Sequence, residues 1–292
     1  MAISHRLHTP MDQRPGDGRE LHPKRIVFLS VEGNRTEKDY FELVNRFKNE
    51  LNIQSVIHIE VLSRWSKDTQ SDPRHVFALL QEVRRLHKHG ILAEELYEDL
   101  GHTYTKDFIE KYFREESLPS KEKVQFERAL EAARIDYAYQ KFLSDYRGED
   151  GRDVFAIIID RDKGSHTAEE MIAVFKMCEK EGVQCFVTNP CFEFWLLLHV
   201  SDVRKEFATN LDKLLANEKV SSAHTYVSAE LSKRAKHKKT ISESVFREFY
   251  LKNIDIASER CQDFSQDKYA LLDELGSNVP KLFEILRGDL EA

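Results

Sequence analysis

DVFAIIID (Asp153–Asp160) is the stretch on which the fold turns. It is apolar without alternation and rich in β-branched residues. That predicts a strand buried on both faces, as in the middle of a parallel sheet. Downstream, a turn at Arg161–Ser165 leads into a helix predicted over Thr167–Glu181. Gly182 stops it, and VQCFVT (Val183–Thr188) reads as a further strand. NPCFEFWLLLHV (Asn189–Val200) starts with an Asn-Pro turn and continues as an apolar helix. Upstream, RIVFLSVEG (Arg25–Gly33) is a second buried strand that ends in a glycine turn. Thr36 is placed to cap a helix over Thr36–Leu51, with Glu37 and Asp39 beside the positive end of its dipole. Tyr40, Phe41, Val44 and Phe47 fall on one face of that helix. SVIHIEVLS (Ser55–Ser63) alternates like a strand, and Asp72-Pro73 opens a helix running to about His89.

Strand and helix alternating in this way predict an α/β fold, a parallel-sheet core flanked by helices. The texture changes over Ile91–Arg147, which is charged, rich in Glu, Lys and Tyr, and helical in period. It reads as a helical insertion. Beyond Ser201 only helices are expected, about Val203–Ala216, Ser242–Cys261 and Val279–Arg287. The expected organisation is thus a loose arm over 1–24, an α/β domain over 25–200 with its insertion at about 91–147, and a helical C-terminal region over 201–292.

With 292 residues and 41% hydrophobic side chains, the chain can bury a sizeable core. Its charge, 44 − 51 = −7, argues against a protein that coats itself in nucleic acid. Any such contact must be local or assisted by metal ions. The best local basic run is Lys233, Arg234, Lys236, Lys238 and Lys239, which reads either as a solvated loop or as a phosphate-backbone contact. Four cysteines without a C-x-x-C pair exclude a zinc ribbon or disulfide framework, so reduced thiols and a cytoplasmic location are expected. No apolar run approaches membrane-spanning length, and the first 24 residues lack a secretory h-region. The Walker A, dinucleotide-binding, H-E-x-x-H and G-x-S-x-G patterns are absent.

Ligands of open parallel sheets bind beyond the carboxyl ends of the strands. Glu32, the Asp160-Arg161-Asp162 triplet and Glu193 all fall there. Clustered carboxylates persist where a cation neutralises them, and hard oxygen ligands suit Mg²⁺ or Mn²⁺. Asp160 and Asp162 flank one residue, so both can reach one ion. Glu32 would ligate it or act as a general base, and Glu193 is a fourth candidate. Arg35, Arg161 and Lys163 sit beside the acids, either as phosphate contacts or as charge balance. His166 follows the Asp pair and could reach the site, whereas His199 shares a helix face with core residues and reads as structural.

Val31-Glu32-Gly33 followed by Asp160-Arg161-Asp162 resembles the Toprim domain of topoisomerases, bacterial primases and OLD-type nucleases. EGNRTEKDYF (Glu32–Phe41), DRD (Asp160–Asp162) and NPCFEFWLLLH (Asn189–His199) together resemble the RloB-like proteins of anti-phage (abortive infection) loci. The resemblance covers about Arg25–Val200. It implies a Toprim-like core and a Mg²⁺- or Mn²⁺-dependent nuclease acting on DNA or RNA. It carries over Glu32, Asp160 and Asp162 as catalytic and metal-binding residues. It also implies control by an AAA-type ATPase encoded nearby, and leaves the oligomeric state open. A Toprim-type nucleotidyl transferase, and a non-catalytic sensor or regulatory subunit of an ATPase complex, are the rival expectations.

Overall fold

The computed structural model describes residues 25–33, 35–62, 72–89, 93–113, 116–133, 153–235 and 240–289. The expected arm over 1–24 lies outside them, as do residues 134–147 of the expected insertion. The chain divides into two compact units, one over Gln81–Gly148 and one combining Pro23–Leu80 with Glu149–Ala292.

The larger unit is built on a five-stranded sheet in the order β2-β1-β3-β4-β5. Strands β1 (Arg25–Val31), β2 (Ile57–Leu62), β3 (Val154–Asp160) and β4 (Gln184–Asn189) run parallel. β3 is the middle strand, as its unbroken apolar run requires. Strand side chains point alternately to the two faces. Val27, Leu29, Val31, Ala156 and Ile158 therefore enter one core with α1 (Thr36–Arg46) and α7 (Phe192–Val200). On the opposite face Phe28 stacks on Phe155, and Ser30 Oγ donates to the Val76 carbonyl of α2 (Pro73–His89) at 2.9 Å. In α7 Phe192 and Phe194 through Leu198 are all fully buried, as expected of a helix apolar all round. α6 (Ala168–Glu181) opens with a Thr167/Glu170 capping box and closes at Gly182 in the left-handed region.

Four readings change. Thr36 is the first helical residue rather than the cap; Arg35 holds the cap position, without a side-chain cap bond. The C-terminal region is not purely helical, because β5 (Gly276–Ser277) pairs antiparallel with β4. Nor is it a separate layer. Phe246, Tyr250, Ile254, Leu282 and Phe283 belong to the same core as β1 and α7, so the expected boundary at 200/201 falls within one unit. Between α9 (Leu211–Ala216, following the short α8, Val203–Glu206) and Ser242 lies α10 (Tyr226–Ala235), a helix the sequence reading passed over as a basic linker.

The smaller unit contains α3 (Ala93–Asp99), α4 (Lys106–Phe113) and α5 (Ser120–Ala132). They close on Leu96, Ile109, Tyr112, Phe126 and Leu130. No helix among the described residues is long and apolar enough to cross a membrane.

Candidate functional site

Glu32 directly follows β1, and its N–H still bonds to Ile158 O on β3 at 3.1 Å. That register puts it beside the last residue of β3. Glu32 Oε2 accepts the Asp160 N–H at 2.9 Å, and Glu32 Oε1 faces His166 Nε2 at 3.2 Å. Glu193 joins them from the first turn of α7, whose Phe192 N–H donates to the Asp160 carboxylate.

A fourth carboxylate arrives from a residue the sequence reading assigned to the helix dipole. Glu37 is only 6% exposed and folds back on its own N–H and that of Gly33. Gly33 is required by that fold. A Cβ there would stand 1.8 Å from Glu37 Oε2. Burial, together with the carboxylates of Glu193 and Glu32, pushes the Glu37 carboxyl up to about 8. Burial and the charges of Glu32, Glu37 and Glu193 push Asp160 well above the usual carboxylate range. Burial also raises the Cys191 thiol, with Glu193 and Asp160 adding to it. His166 shifts upward because of its hydrogen bond to Glu32. Glu37 had a sequence signal after all. It lies three, four and seven residues before Tyr40, Phe41 and Val44, on the apolar stripe of α1, and a carboxylate on such a stripe needs a partner.

Asp162 does not join the cluster. It is exposed, and its carboxylate turns back on its own loop, accepting Gly164 N–H at 3.0 Å and the Ser165 hydroxyl at 2.8 Å. The expected Asp160/Asp162 couple is therefore replaced by Asp160 with Glu32, Glu37 and Glu193. Arg161 does not face a phosphate either; it is 5% exposed and bonds to backbone carbonyls inside the unit. Lys163 pairs with Asp273 at 3.3 Å, while Arg35 is exposed beside the rim. Lys233 pairs with Glu230, and Arg234 pairs with Glu230 and Glu206, which neutralises the described half of the basic run. Lys236, Lys238 and Lys239 lie outside the described residues.

These residues fit a hard divalent cation in donor type and charge. Their oxygens are the right class. They repel one another, and Asp160 Oδ1 is buried with no hydrogen-bond partner. A buried unpaired acceptor beside like charges is the electrostatic complement of a cation. Among the described residues no three His, Cys, Asp or Glu side chains converge on a formed coordination point. The cluster is thus a charge-complementary rim, not a closed cage.

The RloB-like protein family model matches residues 27–286. This chain belongs to the RloB-like family. The match runs beyond Val200 into α11 (Val279–Arg287), so the C-terminal region is part of the RloB-like unit and not an appendage, as its shared core also shows. None of the curated proteins or solved structures compared with this RloB-like chain gave a match.

Proposed function

We propose that this RloB-like protein is a Toprim-type, Mg²⁺- or Mn²⁺-dependent nuclease that hydrolyses phosphodiester bonds. The observation that carries the reading is the buried, partnerless Asp160 Oδ1 amid the charges of Glu32, Glu37 and Glu193. Asp160, Glu37 and Glu193 would hold the ion, with Glu32 as a further ligand or as the base that takes a proton from attacking water. Asp162 can contribute once it releases Gly164 and Ser165. When bound, such an ion lowers the pKa of water and neutralises charge on the phosphoryl oxygens. The remaining tasks fall to side chains. The Asp160 N–H holds one Glu32 oxygen, which leaves the other to exchange a proton with His166 or water. Arg35 stands exposed at the rim, where a phosphate would approach. In the absence of an ion, burial and mutual repulsion disfavour the charged forms of Asp160 and Glu37, which suits a nuclease restrained until needed. Anti-phage defence under a partner AAA-type ATPase is the biological setting this proposal takes from the family resemblance.

The test is incubation of the purified chain with single- and double-stranded DNA, tRNA and mRNA, with Mg²⁺, Mn²⁺ or EDTA. Cleavage that needs the ion and is lost in Asp160→Asn and Glu37→Gln supports the proposal. Cleavage undiminished in both variants refutes the assignment.

A further inference from the structure

Arg161 is a buried basic head that no step of the proposed hydrolysis uses. Its main chain is fixed by β4, where Arg161 N–H donates to Thr188 O at 2.9 Å. Its side chain turns inward. Nε donates to Leu272 O at 2.8 Å, and a terminal nitrogen donates to His166 O at 2.7 Å. Leu272 closes a 3₁₀ turn, Ala270–Leu272, of the C-terminal region. The same turn grips the end of β4, since Asn189 Nδ2 donates to Leu271 O at 2.8 Å.

The loop between Arg161 and α6 is closed by local bonds. Ser165 N–H and His166 N–H both donate to Asp162 O at 2.9 Å. Those bonds begin and end within the loop, so they set its shape and not its tilt relative to β1. Tilt is set by bonds that leave the loop. The exposed Lys163–Asp273 pair is one, and surface pairs of this kind hold weakly. The buried Arg161 fork is a second, and it is shielded from water. At the far end of the loop, His166 Nε2 meets Glu32 Oε1. Hydrogen bonds therefore run unbroken from Leu272 through Arg161 and His166 to Glu32.

We propose that Arg161 is a positioning residue that sets the His166 imidazole against the Glu32 carboxylate by anchoring the His166 carbonyl to Leu272. The role rests on Glu32 belonging to the catalytic rim. A guanidinium holds its Nε–H and terminal N–H in a rigid planar fork, whereas an ammonium, although it can also reach two carbonyls, fixes no such geometry, so lysine should not replace it.

The experiment uses the full chain with Arg161→Lys, His166→Asn and the double variant. Arg260→Lys is the control, because Arg260 also donates to a backbone carbonyl, Leu198 O of α7, away from the His166 loop in sequence. The first readout needs no ion: the side-chain nitrogen NMR signal of His166. It should move in Arg161→Lys and stay in place in Arg260→Lys. The second is Mn²⁺-dependent cleavage. Arg161→Lys should lower kcat about 10-fold with KM held within about twofold, a misplacement effect. The double variant should match His166→Asn alone, because the two residues act in series. Additive losses, or an unmoved His166 signal in folded Arg161→Lys, overturn the proposal. Should Arg161→Lys fail to fold, exchange of the Arg161 Nε–H in the wild-type chain decides: slow exchange supports the anchor, and exchange as fast as in an exposed arginine overturns it. A wild-type chain that cleaves nothing with either ion removes the nuclease reading alone, and the His166 signal still decides the positioning role.

Discussion

α1 and α7 each feed two regions that handle buried polar groups in opposite ways. One turn beyond Glu37, α1 presents Tyr40; just past Glu193, α7 presents Trp195 and His199. In that interior cluster the polar atoms of the three residues are matched. His199 Nδ1 lies 2.9 Å from Trp195 O and must carry the proton, so Nε2 accepts from Tyr40 at 3.1 Å. Trp195 Nε1–H in turn donates to Tyr40 Oη at 3.2 Å. Burial holds the His199 ring neutral, its pKa lowered to about 3. At the rim Asp160, Glu32, Glu37 and Glu193 crowd together, and Asp160 Oδ1 has no partner. Burial by itself therefore marks nothing. Satisfied burial is architecture, while uncompensated like charge is where a ligand is expected.

The sharpest break of this contrast is Asp160→Asn. It should cost on the order of 10²–10³-fold in ion-dependent cleavage, the scale of losing a transition-state charge contact. The same variant should melt higher than wild type in EDTA at pH 8, because it removes a buried carboxyl whose charged form is repelled by Glu32, Glu37 and Glu193. Cleavage assays and thermal melts read both, and a lower melting point would contradict the electrostatic account.

The two regions also impose opposite pH slopes. His199 falls from its ordinary 6.5 to about 3, so between those values the native state binds fewer protons than the unfolded chain. Its contribution to stability is complete above pH 6.5 and should drop by up to about 1.4 kcal/mol per pH unit below it. Glu37 rises from 4.5 to about 8, so the native state binds more protons across that window. Its contribution is complete below pH 4.5 and is lost as pH rises through 8. Urea midpoints in EDTA should therefore decline on both sides. His199→Gln should flatten only the acid side, and Mg²⁺ should flatten only the alkaline one.

Tyr40→Phe should cost about 1–3 kcal/mol of stability, because it strands Trp195 Nε1–H and His199 Nε2. Divalent-ion affinity should be unchanged, as measured by denaturation and calorimetry on the same sample. The mildest change is Gly33→Ala. The added methyl meets the mobile end of Glu37 rather than backbone, so the fold should survive within about 0.5 kcal/mol, the range of a tolerated substitution. The Glu37 carboxylate must leave its seat, and Mn²⁺ affinity should fall about 10-fold, or roughly 1.4 kcal/mol. Unaltered Mn²⁺ binding would remove Glu37 from the site.

Where a stretch of sequence carried its own signal, the reading transferred closely. β3, α6 with its Gly182 stop, and α11 over Val279–Arg287 follow from unbroken apolarity, a glycine stop and 3.6-residue spacing. β5 is two residues long and is made a strand only by β4. α10 was hidden by Lys233 and Arg234, which pair with Glu230 and Glu206 instead of belonging to a solvated loop.

The same division holds at the site. Strand ends are local features, so Glu32, Asp160 and Glu193 could be placed on one rim from residue order alone. Which carboxylates then meet depends on contacts between elements far apart in the chain. Two residues of one D-x-D triplet part company because the loop consumes Asp162 in closing itself. Glu37 enters because the apolar face of α1, buried against the sheet, carries it inward over Gly33. Arg161 points away from solvent because Leu272, more than a hundred residues later, offers the carbonyl that its guanidinium needs. Side-chain direction is set by the partners that folding brings within hydrogen-bonding reach, and no stretch of sequence contains its own distant partner.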